Sequence, residues 1–191
     1  MKKGLKLSDI LVTIIIAVIF AIIYNLWWMV YEVSKVTGLH IEELTYGVWF
    51  MAAVVAYLII PKPGIALLAE FAAGAGETIV MGKFDIATLV VAFLQGLASE
   101  IVFALFKYSS RTVMVSILAG VAAALISLPV VFFYGYLAEV KSWNWILLIG
   151  FRLISGALVA GLLSWLLVKL LDETGVTKLF RPASQKDYDS L

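Results

Sequence analysis

Long apolar runs broken by short polar interruptions dominate this chain of 191 residues. A helix crossing the hydrocarbon core of a bilayer needs ~20 predominantly apolar residues. Six stretches qualify, roughly 9–31, 44–60, 64–82, 86–106, 112–137 and 143–171. The interruptions between them, 32–43, 61–64, 83–85, 107–111 and 138–142, are too short to be linkers between domains. The pattern therefore predicts one bundle of six transmembrane helices over residues 1–171 and a polar tail over 172–191. The first run is longer than the 7–15-residue apolar core of a signal peptide and lacks a small-residue cleavage site at its end, so it reads as a retained helix. Pro63 opens the third helix after a tight turn, and Pro129 falls inside the fifth, where it is expected to kink it.

Lysine and arginine positions orient the bundle. Ten of the 14 fall on one side: Lys2, Lys3, Lys6, Lys62, Lys107, Arg111, Lys169, Lys178, Arg181 and Lys186. Three fall on the other, Lys35, Lys83 and Lys141, and Arg152 lies within the sixth run. This bias places both termini in the cytoplasm.

Composition narrows the class. Hydrophobic residues make up 63% of the chain, charged residues 14%, and the mean hydropathy is +1.06. Soluble domains carry roughly 25% charge, and disorder requires the opposite composition. Outer-membrane strands alternate apolar and polar residues, which these runs do not. The chain reads as an all-α, multi-pass integral membrane protein. A net charge of +1 offers no basic field for nucleic acid. With no cysteine and His40 as the only histidine, there is no disulfide frame, no thiolate or histidine metal centre and no catalytic triad. No glycine-rich phosphate loop with lysine is present, so the chain is not itself a nucleotide hydrolase. No catalytic residue, cofactor or metal ligand is expected.

The aromatics are lopsided. Tyr24, Trp27, Trp28 and Tyr31 close the first run on the outer side, and Tyr46 and Trp49 open the second there. Tyr134 and Tyr136 end the fifth run, and Trp143 and Trp145 open the sixth. Five of six tryptophans thus belong to the outer half, Trp165 being the exception. An interfacial belt accounts for any one of them, but a belt marks both faces. The excess points to an outward-facing aromatic pocket.

An ionisable group at the bilayer centre costs at least ~2.5–3.5 kcal/mol and is a functional hypothesis by default. Four stand out: Glu70, Glu77, Glu100 and Arg152, with Gln95 and Asn25 as further polar groups. Glu70 and Glu77 are seven apart and share a helix face. At 1.5 Å per residue Glu77 lies roughly 7 Å and Glu70 roughly 18 Å below the outer end, with Arg152 roughly 14 Å deep on its own helix. Arg152 can then reach either carboxylate, either as a structural bridge between helices three and six or as part of a polar shaft with Gln95. Three carboxylates against one guanidinium leave two negative charges unmatched, which a cation held between Glu70, Glu77 and tryptophan faces would satisfy. Glu100 lies deeper and is expected to be structural, pairing with Lys107 or a partner subunit. Small-residue pairs (Ala69 with Ala73, Ala72 with Gly76, Gly156 with Ala160) mark close helix contacts, and Ala17 with Ala21 make a flat strip on the first helix. The 32–43 connection, with Gly38 and His40, is long enough for a lid.

These residues resemble a known family. Tyr46-Gly-Val-Trp49-Phe-Met, Lys62-Pro63-Gly64, Leu68-Ala69-Glu70, Gly76-Glu77, the run from Gln95-Gly96 through Ser99-Glu100 and Phe103 to Phe106, and Arg152-Leu-Ile-Ser155-Gly156-Ala are together similar to the YkoE family of substrate-binding (S) components of energy-coupling-factor vitamin transporters. The resemblance implies a six-helix S-component bundle in a bacterial or archaeal cell membrane that captures thiamine, or its hydroxymethylpyrimidine precursor, from outside. It implies a transmembrane coupling (T) subunit and separate cytoplasmic ATPase subunits as partners. Glu70 and Glu77 become expected partners of the thiazolium cation and aminopyrimidine, Trp27, Trp28, Tyr46 and Trp49 stacking platforms, Gln95 a hydrogen-bonding group and Arg152 the residue that orients a glutamate. Ala17 and Ala21 become the docking strip for the coupling subunit. The rival readings are a stand-alone proton-coupled carrier or channel, with Glu70, Glu77 and Glu100 as a relay, and a scaffold that binds no ligand.

Overall fold

The computed structural model describes residues 4–35, 39–133, 144–175 and 177. Lys2, Lys3, Tyr134, Tyr136, Lys141, Trp143 and most of the tail, with Lys178, Arg181 and Lys186, lie outside the described residues, as do 36–38 of the expected lid. Among the described residues the helices form six rods, in the order of the apolar runs. The first is α1 (Leu7–Ser34). The second begins as a 3₁₀ stretch, Ile41–Phe50, and continues as α2 (Met51–Ile59). Then come α3 (Ile65–Val80), α4 (Ile86–Leu105) and α5 (Val113–Phe133). The sixth is continuous but changes pitch: α6 (Asn144–Ser155), a π stretch over Gly156–Leu163, and α7 (Ser164–Glu173).

Packing follows from where the apolar surface wraps all the way round. Every residue of α2 is buried, so α2 is the central helix, touching α1, α3, α4, α5 and α7. The others ring it: α1 packs on α3, α3 on α4, α4 on α5, and α5 on the π stretch. On α1, by contrast, Leu11, Ile15, Val18, Ile22, Leu26 and Met29 are exposed and form the face offered to lipid. Several helix ends have local causes. Asp85 caps α4 by accepting from the Ala87 and Thr88 N–H groups at 3.1 and 3.3 Å. Gly64, at φ +87°, supplies the left-handed residue that turns the chain from α2 into α3. The α5 helix runs past Pro129 to Phe133.

The α5–sixth-rod contact is backbone against backbone. A Cβ added at Gly120 would sit 2.0 Å from the Gly156 carbonyl oxygen, and one at Gly161 would sit 2.5 Å from the Ile117 Cα. Glycine there lets two rods approach with nothing between them, the small-residue packing expected where lipid offers no hydrophobic drive between helices.

Ala17 and Ala21 also serve close packing, and here the expectation needs correction. They are 1% and 2% exposed, on the α1 face that meets α3, with the Ala21 methyl 2.7 Å from where a Cβ on Gly76 would stand. The strip matches the small-residue stripe of α3 and faces the bundle interior, so it offers no open surface for a coupling subunit in this arrangement.

Candidate functional site

The end of α1, the start of the 3₁₀ stretch and the end of α3 bring an aromatic cluster over a carboxylate. Trp49 is its hub. The Trp49 ring meets Tyr31 edge-on at 5.2 Å, Trp28 edge-on at 5.8 Å and Tyr46 tilted at 5.6 Å, while Trp28 stacks on Tyr31 at 5.7 Å. The Trp49 indole N–H donates to Glu77 Oε1 at 2.9 Å, so the carboxylate is held against the rings. The sequence places Trp28 and Tyr31 three apart on α1, and Tyr46 and Trp49 three apart on a 3₁₀ stretch. Residues three apart are neighbours on an α-helix surface and eclipse one another in a 3₁₀ helix, so the two members of each pair project to the same side. Two cations already lie against these rings. The Lys35 ammonium is 4.9 Å from the Tyr31 centroid and 5.4 Å from that of Trp28, and the Arg152 guanidinium is 3.8 Å from the Tyr46 centroid. Negative ring faces attract cations in this way.

Trp27 and Trp28 part company. Trp28 joins the cluster at 39% exposure, whereas Trp27 packs half-buried against the core, its indole N–H without a hydrogen-bond partner among the described residues. Gln95 is buried beside Tyr46 and hydrogen-bonds with it. A buried indole N–H without a partner, as at Trp27, is rare in folded proteins and marks a place to look for a ligand.

The four intramembrane charges are partnered differently from the expectation. Arg152 does not reach Glu70 or Glu77. It donates from Nε and Nη2 to the two oxygens of Glu43, at 2.5 and 2.7 Å, and from Nη1 to Ser127 at 3.3 Å. Tyr31 adds a hydroxyl donor to Glu43 at 3.0 Å. Glu43 is the last residue of the 32–43 connection in the sequence pattern. Because helix starts at Ile41, its side chain instead turns inward and is 2% exposed. The glutamate that Arg152 orients is therefore Glu43.

Glu70 is wholly buried and serves the interior. Tyr24 donates to its carboxylate at 3.1 Å, and the Ala53 N–H at 3.0 Å, while the Ala52 N–H donates to Tyr24. These two N–H groups lie in the first turn of α2, where helix geometry leaves donors unsatisfied. Glu100 does the same for α3: its oxygens accept from Gly64, Ala66 and Leu67 at 2.6, 3.0 and 3.3 Å. It does not pair with Lys107, which is exposed. Burial, followed by the hydrogen bond to Glu100 and its charge, pushes the neighbouring Tyr108 hydroxyl up to about 12. Glu70, Glu77 and Glu100 are thus all without a cationic partner among the described residues, and neutral donors hold each of them. No cluster of three or more His, Asp or Glu side chains suited to a metal ion occurs among the described residues.

Known proteins share this fold. Residues 8–126 match the family described as "ABC-type cobalt transport system, permease component". A protein of Bacillus subtilis (strain 168), provisionally named as the HMP/thiamine permease protein YkoE, is 34% identical over 176 residues, which are 91% of this chain and 88% of that protein. A crystal structure of an S-component of an ECF transporter superposes with a TM-score of 0.82 at 32% identity, over 91% of this chain and 89% of that one. With identity above 30% across nearly the whole bundle, the chain belongs to the YkoE family of S components of energy-coupling-factor transporters.

Proposed function

We propose that this protein is the membrane-embedded binding subunit for thiamine, or its hydroxymethylpyrimidine precursor, of an ATP-driven uptake transporter in a bacterial or archaeal cell membrane. One observation carries the reading: a carboxylate, Glu77, is held by an indole N–H beneath four clustered aromatic rings. Thiamine combines a permanent cation with a flat aminopyrimidine. Glu77 offsets the cation, and Trp28, Tyr46 and Trp49 present ring faces and edges to it, each well-placed ring contributing about 0.5–2 kcal/mol. The unpartnered indole N–H of Trp27 suits a ring-nitrogen acceptor of a pyrimidine, and Gln95, beside Tyr46, adds a hydrogen-bonding group. Glu70 acts one layer below as the group that fixes Tyr24 and the start of α2, and Arg152 with Glu43 locks the 3₁₀ stretch under the cluster. The absence of a metal-ligating cluster among the described residues favours an organic cation over a bare metal ion as cargo.

Transport then requires a coupling subunit and two ATPase chains, both termini facing the cytoplasm with the basic side. The test is tryptophan-fluorescence titration of the purified chain with thiamine, hydroxymethylpyrimidine and an uncharged analogue. Glu77→Gln is expected to weaken thiamine more than about tenfold, a loss of about 1.4 kcal/mol or more, and the neutral pyrimidine less. Unchanged binding by both Glu77→Gln and Glu70→Gln refutes the site. Proton-driven uptake by vesicles holding only this chain refutes the mechanism in favour of a stand-alone carrier.

A further inference from the structure

The end of the bundle opposite the aromatic cluster holds a second concavity. Leu58 at the end of α2, Arg111 just before α5, and Trp165, Val168, Lys169 and Asp172 on α7 line a cavity of about 270 Å³. Its cations are fixed by contacts that leave donors over. Arg111 Nη1 donates to the Leu58 carbonyl at 3.2 Å, which anchors the guanidinium and leaves its other N–H groups to spare. The Trp165 indole donates to the Arg111 carbonyl at 3.1 Å, tying α7 to the segment that carries the arginine. The Lys169 ammonium lies 5.5 Å from the Trp165 ring centroid. Neither Arg111 nor Lys169 has a carboxylate within ion-pair distance among the described residues. Asp172 accepts from the Thr177 hydroxyl.

Next to the cavity the outer face of the sixth rod is apolar. Leu163, Leu166 and Leu170 are 48%, 40% and 60% exposed, at spacings of three and four that put them on one stripe. A tryptophan, two cations and an apolar stripe leading away from them are what a phospholipid meets at the membrane surface, with the phosphate at the cations and the acyl chains on the stripe. Basic pockets between transmembrane helices bind anionic headgroups by this chemistry. The volume lies below the ~300–1,000 Å³ of pockets that enclose a drug-sized ligand. It admits a phosphate and its glycerol.

We infer that Arg111, Lys169 and Trp165 form a binding site for a phosphate-bearing ligand, with the headgroup of an anionic phospholipid as its source. Arg111 and Lys169 present positive charge on the cavity rim, the complement of an anionic headgroup such as that of phosphatidylglycerol. The site is separate from the proposed vitamin site and does not depend on it.

The experiment is native mass spectrometry of the full chain released from nanodiscs containing equal parts of phosphatidylglycerol, phosphatidylethanolamine and phosphatidylcholine. The parent is expected to retain one phosphatidylglycerol preferentially. Each cation near the surface contributes about fivefold to anionic-lipid affinity, so the R111Q/K169Q double variant is expected to lose about thirtyfold. The charge-preserving R111K/K169R variant keeps the preference, which separates loss of charge from loss of fold. Lys6→Gln with Lys107→Gln, which removes two cations at the same end but outside the cavity, leaves it unchanged. Equal loss in that pair, or equal retention of the three lipids by the parent, overturns the site. A parent that binds free glycerol phosphate at micromolar concentration but shows no lipid preference overturns the lipid as source.

Discussion

Removing Arg152 tests whether the 3₁₀ half of the second rod is locked by a buried ion pair. Glu43 receives three donors, two from Arg152 and one from Tyr31. Hydrogen bonds to charged groups contribute about 1.5–3 kcal/mol each, so Arg152→Met forfeits roughly 3–6 kcal/mol of contact with Glu43. That agrees with the ~3–5 kcal/mol typical of stripping one partner from a buried pair. Glu43→Gln keeps the Tyr31 bond but leaves a buried guanidinium with a neutral partner, and about 2–3 kcal/mol is expected. The E43Q/R152M double variant buries no charge at this place and is expected within about 2 kcal/mol of the parent, so the two losses fail to add by at least ~2 kcal/mol. Reversible unfolding in mixed micelles with rising SDS, followed by circular dichroism, measures all four corners of the cycle. The pair is 1–3% exposed, so the coupling is expected to be insensitive to salt. Additivity of the two single losses to within ~0.5 kcal/mol would refute the lock, and with it the reason the 3₁₀ stretch holds Tyr46 and Trp49 in place.

Three further outcomes follow from the same contacts. Glu100→Ala removes the acceptor for three N–H groups in and before the first turn of α3 and is expected to cost about 2–3 kcal/mol in the same unfolding assay. Gly120→Ala places a methyl 2.0 Å from the Gly156 carbonyl and is expected to destabilise by at least ~2 kcal/mol, whereas Gly150→Ala, with nothing within 4 Å, is expected neutral or stabilising by up to ~1 kcal/mol. Trp49→Phe keeps a ring in the cluster but removes the donor to Glu77. It is expected to weaken thiamine about three- to tenfold in an equilibrium binding assay that does not rely on tryptophan emission.

How much was legible in the chain depended on the range of the physics involved. Hydropathy is local, and each apolar run of about 20 residues folds into helix wherever lipid surrounds it. The six rods, their order and the membrane class were therefore readable from the one-dimensional pattern. So was the concentration of Trp28, Tyr46 and Trp49 at one end of the bundle, because helix rise converts sequence position into depth. Depth, however, says nothing about azimuth. The carboxylate at the right depth for Arg152 was Glu77 or Glu70. The guanidinium went instead to Glu43, which falls at the end of the polar 32–43 interruption. Ala17 and Ala21 made a small-residue strip in either case, and only packing decided that it faces Gly76 of α3 rather than a partner.

The same division applies to the charges. Composition determined that ionisable groups would be few and that those inside the bundle would be acidic in excess, since the bilayer penalises every one of them. Which of them serve structure was settled by backbone donors that carry no sequence signature. Glu70 and Glu100 accept from the first-turn N–H groups of α2 and α3, groups that every helix leaves open whatever its side chains are. Only the assembled bundle, by bringing a carboxylate from one helix to the open end of another, separated those two from Glu77, whose partner is an indole in an aromatic cluster.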